Sequence, residues 1–178
     1  MDERILSFTS SAADAETITY YRWAGDAPPR AVVQLAHGMG EHAARYRRVA
    51  TALVDAGYVV YANDHRGHGL TAGHPERHGS LGAPGFPGLI DDVWAMTELA
   101  KAEHPGLPIV VMGHSMGSMA LQRYLLDHSA SIDGAVLSGT SAIDIIASAI
   151  DPSQPADLSL FNGAFEPART PYDWLSRD

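Results

Sequence analysis

The sequence predicts an α/β fold, a doubly wound and mostly parallel sheet, and three observations predict it. Apolar runs of strand length recur along the chain, longer amphipathic stretches separate them, and Gly and Pro punctuate the junctions. Strands that alternate with helical stretches need crossovers, and crossovers between successive strands make a parallel sheet with helices on its faces. With 178 residues and 46% hydrophobic content, the chain can bury one core.

The elements follow in order. Residues 17–23 (TITYYRW), rich in β-branched and aromatic side chains, read as an early strand that ends at Gly25 before the turn at Pro28 and Pro29. Residues 31–36 (AVVQLA) form a continuous apolar run, as expected of a strand covered on both faces, and lead into the Gly-rich segment 37–40. Residues 43–56 read as a helix with Tyr46, Val49, Ala50 and Leu53 on one face and Gly57 as its stop. A second buried strand, 58–62 (YVVYA), runs into the polar loop 63–69 (NDHRGHG), and 71–88 reads as an irregular surface loop. Helical spacing then covers 89–103 through Ile90, Val93, Trp94, Thr97 and Leu99, with Trp94 assigned to the core. Residues 108–112 (PIVVM) make a third buried strand, 118–126 a helix and 134–137 (GAVL) a fourth buried strand. No element is assigned before residue 17. From Thr140 onward a short apolar helix candidate at 143–150 gives way to a segment broken by Pro152, Pro155, Pro167 and Pro171. The expected organisation is therefore a core over 1–139 and a separate insertion beginning at 140–178.

Composition narrows the function classes. A net charge of -9, from 21 acidic and 12 basic residues, offers nucleic acid or an anionic membrane surface little to bind. The absence of Cys excludes disulfides and thiolate chemistry. The first eleven residues lack the basic start and long apolar run of a secretory signal, which points to the cytoplasm, and no run approaches the roughly 18 to 20 apolar residues of a membrane-spanning helix. Six loop histidines, His37, His42, His65, His68, His74 and His78, invite a metal reading, but none has HExxH spacing, and the DHRGHG residues are better read as fixing a loop through hydrogen bonds. No metal or cofactor is expected. Glu41 and His42 are expected to serve the start of the helix that follows them.

The chemistry is carried by Gly113-His114-Ser115-Met116-Gly117, which lies between an apolar strand and a helical stretch. A turn sharp enough to expose the Ser115 hydroxyl at the strand end strains the serine backbone and tolerates only small residues two positions to either side, which Gly113 and Gly117 supply. Ser115 is thus the expected nucleophile, and the N–H groups opening the next helix face developing negative charge. The loop after the earlier strand, His37-Gly38-Met39-Gly40, is placed to give a second donor, so the backbone N–H groups of Met39 and Met116 are the expected oxyanion donors. His37, Gly38, Gly113, His114 and Gly117 support them.

Three motifs, HGMGEH at 37–42, DHRGHG at 64–69 and GHSMGS at 113–118, resemble those of monoacylglycerol lipases and related lysophospholipases. The resemblance runs from about Tyr20 to the final PARTPYDWLSRD, which is similar to the cap segment of bacterial members. It implies the α/β-hydrolase fold, ester hydrolysis through an acyl-enzyme on a small acyl ester substrate, no cofactor, and the start of a cap from about Thr140. In that fold an acid and then a His follow the nucleophile in chain order. Here the one later histidine, His128, is about 13 residues on along a helix rising about 1.5 Å per residue, out of reach of Ser115. Asp127, Asp133, Asp144, Asp151, Asp157 and Asp173 thus have no base to orient. The expectation is a chain without the C-terminal strands, inactive alone, with an exposed sheet edge and a complementing C-terminal segment or chain that carries the acid and the His. A proline-type serine aminopeptidase or an acyltransferase would use the same parts, and a non-catalytic ligand-binding module of the same fold is the alternative from another class.

Overall fold

A computed structural model of the chain describes residues 1–142, of which Met1–Thr140 make one compact unit. The helix candidate at 143–150 and the rest of the expected insertion lie outside the described residues. Strands β1 (Asp2–Thr9), β2 (Thr17–Ala24), β3 (Ala31–Ala36), β4 (Tyr58–Asn63), β5 (Ile109–His114) and β6 (Gly134–Ser138) form one sheet in the order β1-β2-β4-β3-β5-β6. Helices α1 (Arg47–Asp55), α2 (Gly69–Ala72), α3 (Gly85–Glu103) and α4 (Met116–His128) connect them. The β4/β3, β3/β5 and β5/β6 pairs are parallel, whereas β1/β2 and β2/β4 are antiparallel.

Strand alternation divides the core between the two faces of the sheet. Val32, Ala36, Val59, Tyr61, Ile109 and Val111 pack with Leu89, Val93 and Met96 of α3 and Leu121 and Tyr124 of α4. On the other face Val33, Leu35, Val60 and Ala62 pack with Trp23 and with Ala50 and Val54 of α1. Gln34, polar in the middle of buried β3, is satisfied there: its Nε2 donates to the Val93 carbonyl at 2.9 Å, and its Oε1 accepts from Thr97 Oγ1 at 2.8 Å. Tyr124 Oη donates in turn to Thr97 Oγ1 at 3.2 Å, so one polar chain joins β3, α3 and α4 inside the core.

Three expectations need correction, and one strand, β1, was not assigned. Strand β1 carries no apolar alternation because most of its side chains are exposed; pairing along its full length with β2 and the bonds of Glu3 to Trp23 Nε1 and Arg47 hold it. The stretch 43–56 opens with a 3-10 turn, Ala43–Tyr46, before α1 begins at Arg47, and this rotates Val49 out to solvent and Val54 in. Helix α3 begins at Gly85, four residues early, because Pro87 is tolerated in a first turn where its missing N–H has no partner to lose, and α2 interrupts the expected loop. Strand β6 is present but not buried: it lies at the sheet edge, with Val136 46% and Leu137 40% exposed, as is Leu126 of α4. The exposed edge itself was expected.

Candidate active site

The site is assembled where β3 and β5, neighbours in the sheet with Ala36 paired to Gly113, both end. Ser115 stands between β5 and α4 at φ 50° and ψ -116°, in the left-handed half of backbone space that a side chain rarely adopts. Two close approaches force the bend. A β-carbon on Gly113 would collide with the Gly117 carbonyl oxygen, and one on Gly117 with that of Ala36. The elbow is therefore pressed against the end of β3. Ser115 is half-buried, and the Ser118 and Met119 N–H groups are taken up by its own carbonyl at 2.9 and 3.1 Å.

The segment 37–42 folds over this bend. A β-carbon on Gly38 would lie 3.1 Å from Ser115 Cβ and 3.4 Å from His114 Cδ2, so the two loops are in contact. Met39 is 44% exposed. Among the described residues no acceptor takes the N–H of Met39 or of Met116, whereas that of Gly38 is held by Glu41 Oε1 at 2.5 Å. Glu41 was expected to serve the helix start; instead it turns back to Gly38 and also accepts from Tyr46 Oη at 2.8 Å, and the following 3-10 turn has no side-chain cap. Burial, with Glu41 beside it, pushes the Tyr46 phenol above its ordinary range.

The DHRGHG segment lies beneath and is buried throughout 64–68. Asp64 accepts from the Ala43 N–H with Oδ1 and from the Leu70 N–H with Oδ2, both at 2.7 Å, which ties the segment after the Gly-rich loop to α2. Burial raises the Asp64 pKa, against these bonds. Arg66 is buried against Asp92 of α3 at 2.6 Å and reaches Asp14 at 2.6 Å and Ser10 Oγ at 2.7 Å. The rings of His37, His65 and His68 cluster, with His37 and His65 centroids 4.1 Å apart. Burial, then the neighbouring rings, holds the His37 pKa well below its ordinary 6.5 and His65 down to about 3. His42, His74 and His78 are exposed. Among the described residues no group of three or more His, Asp or Glu side chains is arranged to hold a metal ion, and no helix is long and apolar enough to cross a membrane.

The histidines near the bend are occupied. His114 Nδ1 lies 3.3 Å from Ser138 Oγ, and His128, the last residue of α4, stacks on Trp94 at 4.1 Å. Trp94 is half-buried and packs on the core, as expected. Asp127 pairs with Arg123 at 2.6 Å, and Asp133 accepts from the Ile109 N–H at 2.8 Å. No histidine hydrogen-bonds the Ser115 hydroxyl among the described residues. Asp144, Asp151, Asp157 and Asp173 lie outside them. The loop-fixing hydrogen bonds of Asp64 were expected; sequence reasoning missed the clamp by Glu41 and the Arg66 ion pairs, for which the two glycines inside DHRGHG were the available sign of a tightly packed loop.

The comparison that decides the family is a match of residues 27–171 to the model of the serine aminopeptidases, S33. The chain belongs to that family. The chain is 40% identical over 122 residues to a monoacylglycerol lipase of Mycolicibacterium smegmatis, covering 68% of this chain and 42% of that protein. It is 34% identical over 105 residues to human monoglyceride lipase, covering 59% of this chain and 33% of that one. The chain thus spans less than half the length of either of these relatives. Among solved structures, a thermostable carboxyl esterase from Bacillus coagulans superposes with a TM-score of 0.78 at 31% identity, covering the whole of this chain and 63% of the esterase. The fold of this S33 member is the α/β-hydrolase fold.

Proposed function

We propose that the chain is the nucleophile-bearing part of a serine ester hydrolase of the monoacylglycerol lipase type. The observation that carries the reading is the contact of the Gly38 loop with Ser115, together with the N–H groups of the next residue in each segment, Met39 and Met116, which have no acceptor among the described residues. On this reading the Ser115 hydroxyl attacks an ester carbonyl and gives its proton to a histidine base. The carbonyl oxygen, now negative, accepts from the two N–H groups, and the alcohol leaves with the proton returned by the base. Water, deprotonated by the same base, then releases the acid and restores the serine. The acid and the His come from beyond the described residues, in a complementing C-terminal segment or chain, and residues from 140 begin a cap over the acyl pocket. The similarity to monoacylglycerol lipases favours glycerol esters with one acyl chain; the family's description as aminopeptidases favours proline amides as the second reading.

The test is labelling with a fluorophosphonate, followed by an activity profile over monoacylglycerols, short aryl esters and proline amides in the complete protein. Ser115 is expected to carry the label, and Ser115→Ala to lose both label and ester cleavage. Undiminished cleavage by that variant would remove the proposal, and a profile dominated by proline amides would select the peptidase.

A further inference from the structure

Two side chains converge on Gly38. Its N–H donates to Glu41 Oε1 at 2.5 Å, and its carbonyl lies 2.7 Å from His37 Nδ1. The other ring nitrogen decides where the proton is. The His65 N–H donates to His37 Nε2 at 2.9 Å, so Nε2 is a bare acceptor and Nδ1–H is the donor to the Gly38 carbonyl. Burial beside His65 and His68 keeps the ring neutral, which preserves that arrangement.

A trans peptide is planar, and its C=O and N–H point in opposite directions. His37 is buried and grips the Gly38 carbonyl from within the fold, which turns the other end of that peptide, the Met39 N–H, the opposite way. Glu41 holds the preceding peptide through the Gly38 N–H and is itself braced by Tyr46 Oη at 2.8 Å and by Arg45 at 3.8 Å. Both peptide planes that meet at Gly38 are therefore fixed, at the residue whose β-carbon position is 3.1 Å from Ser115 Cβ.

We infer that His37 and Glu41 are positioning residues, a clamp on the two faces of Gly38 that aims the Met39 N–H at the oxygen charged by Ser115 attack. This rests on the reading of Ser115 as the nucleophile. Neither side chain touches substrate; both act through the main chain. An oxyanion donor stabilises the transition state more than the bound ester, so losing its aim lowers kcat and leaves KM nearly unchanged.

Four variants of the complete enzyme test the clamp, each first shown to unfold cooperatively. His37→Asn keeps an amide N–H near the position of Nδ1, whereas His37→Gln moves the amide to that of Nε2. Glu41→Gln keeps the acceptor for the Gly38 N–H, and Glu41→Ala removes it. The expected result is a fall of about 100-fold in kcat for His37→Gln and Glu41→Ala, with KM within about threefold, and rescue to within about tenfold by His37→Asn and Glu41→Gln. Equal rates within each pair, or losses confined to KM, would overturn the clamp while an inactive Ser115→Ala leaves the nucleophile standing. Full turnover by Ser115→Ala would overturn both. A measurement free of activity completes the test: nitrogen-15 NMR of the unsubstituted chain is expected to find the His37 proton on Nδ1, and a proton on Nε2 would overturn the inference.

Discussion

The Ser115 N–H donates to the Ser138 carbonyl at 2.9 Å, so the strained residue at the elbow hangs from the last residue of the exposed edge strand. Its neighbour repeats the tie, with His114 Nδ1 3.3 Å from Ser138 Oγ and Cε1 3.2 Å from the place a β-carbon on Gly139 would take. The turn is thus held from two sides, by the end of β3 against Gly117 and by the end of β6 against Ser115. Such over-determination is what lets a side chain persist at positive φ.

The strain has a measurable cost. Ser115→Gly removes the side chain that disfavours φ 50°, and is expected to raise stability by about 1 kcal/mol while abolishing fluorophosphonate labelling. Urea unfolding of the two chains side by side gives the answer. A midpoint below that of the parent would mean that the serine side chain is not strained there.

Arg66 is 2% and Asp92 0% exposed, so Asp92 would be an uncompensated buried charge without the guanidinium, whereas Arg66 also pairs with Asp14. Arg66→Met is expected to destabilise by about 3 to 5 kcal/mol, and Arg66→Met with Asp92→Leu to recover part of that loss because the orphaned carboxylate is gone. Chemical denaturation of the singles and the double makes the cycle. Additive losses would show that the pair is not coupled. Asp14 and Ser10, which bring the β1–β2 connection onto the same guanidinium, set the limit on recovery.

His65 makes acid stability a property of the loop. Its ring is neutral and buried with His37 and His68 beside it, and its pKa is lowered from 6.5 to about 3, so the unfolded chain binds a proton that the folded chain does not. Stability from this group is complete above about pH 6.5 and is lost as pH falls toward about 3, by up to about 1.4 kcal/mol per pH unit. His65→Asn leaves the main-chain bond from its N–H to His37 in place and removes the titration. Unfolding free energies at about pH 7, 6 and 5 are expected to fall less steeply in that variant; parallel slopes would contradict the assignment.

How far the residues alone reached can be read from two loops. GHSMG between an apolar run and an amphipathic one determined the elbow, because the backbone demand is local: a β-carbon two positions either side of Ser115 has nowhere to go. HGMGEH was read as the loop that follows the strand 31–36, and residues 37–42 do follow β3. Glu41 was misassigned to the helix start, because the choice between capping forward and reaching back to Gly38 is made by the path of the loop.

The sequence by itself determined the rhythm of strands and helices, the family motifs and the serine, since each follows from periodicity or from steric limits within a few residues. Only the tertiary structure decided that β1 pairs with β2, that β6 is exposed at the edge, and that Asp64, Arg66 and three histidines lie buried beneath the site. Those outcomes depend on partners that are 26 to 56 residues apart for Arg66 alone, bonded to Asp92, Asp14 and Ser10. Burial and long-range hydrogen bonding belong to the packed chain, and no local pattern of residues specifies them.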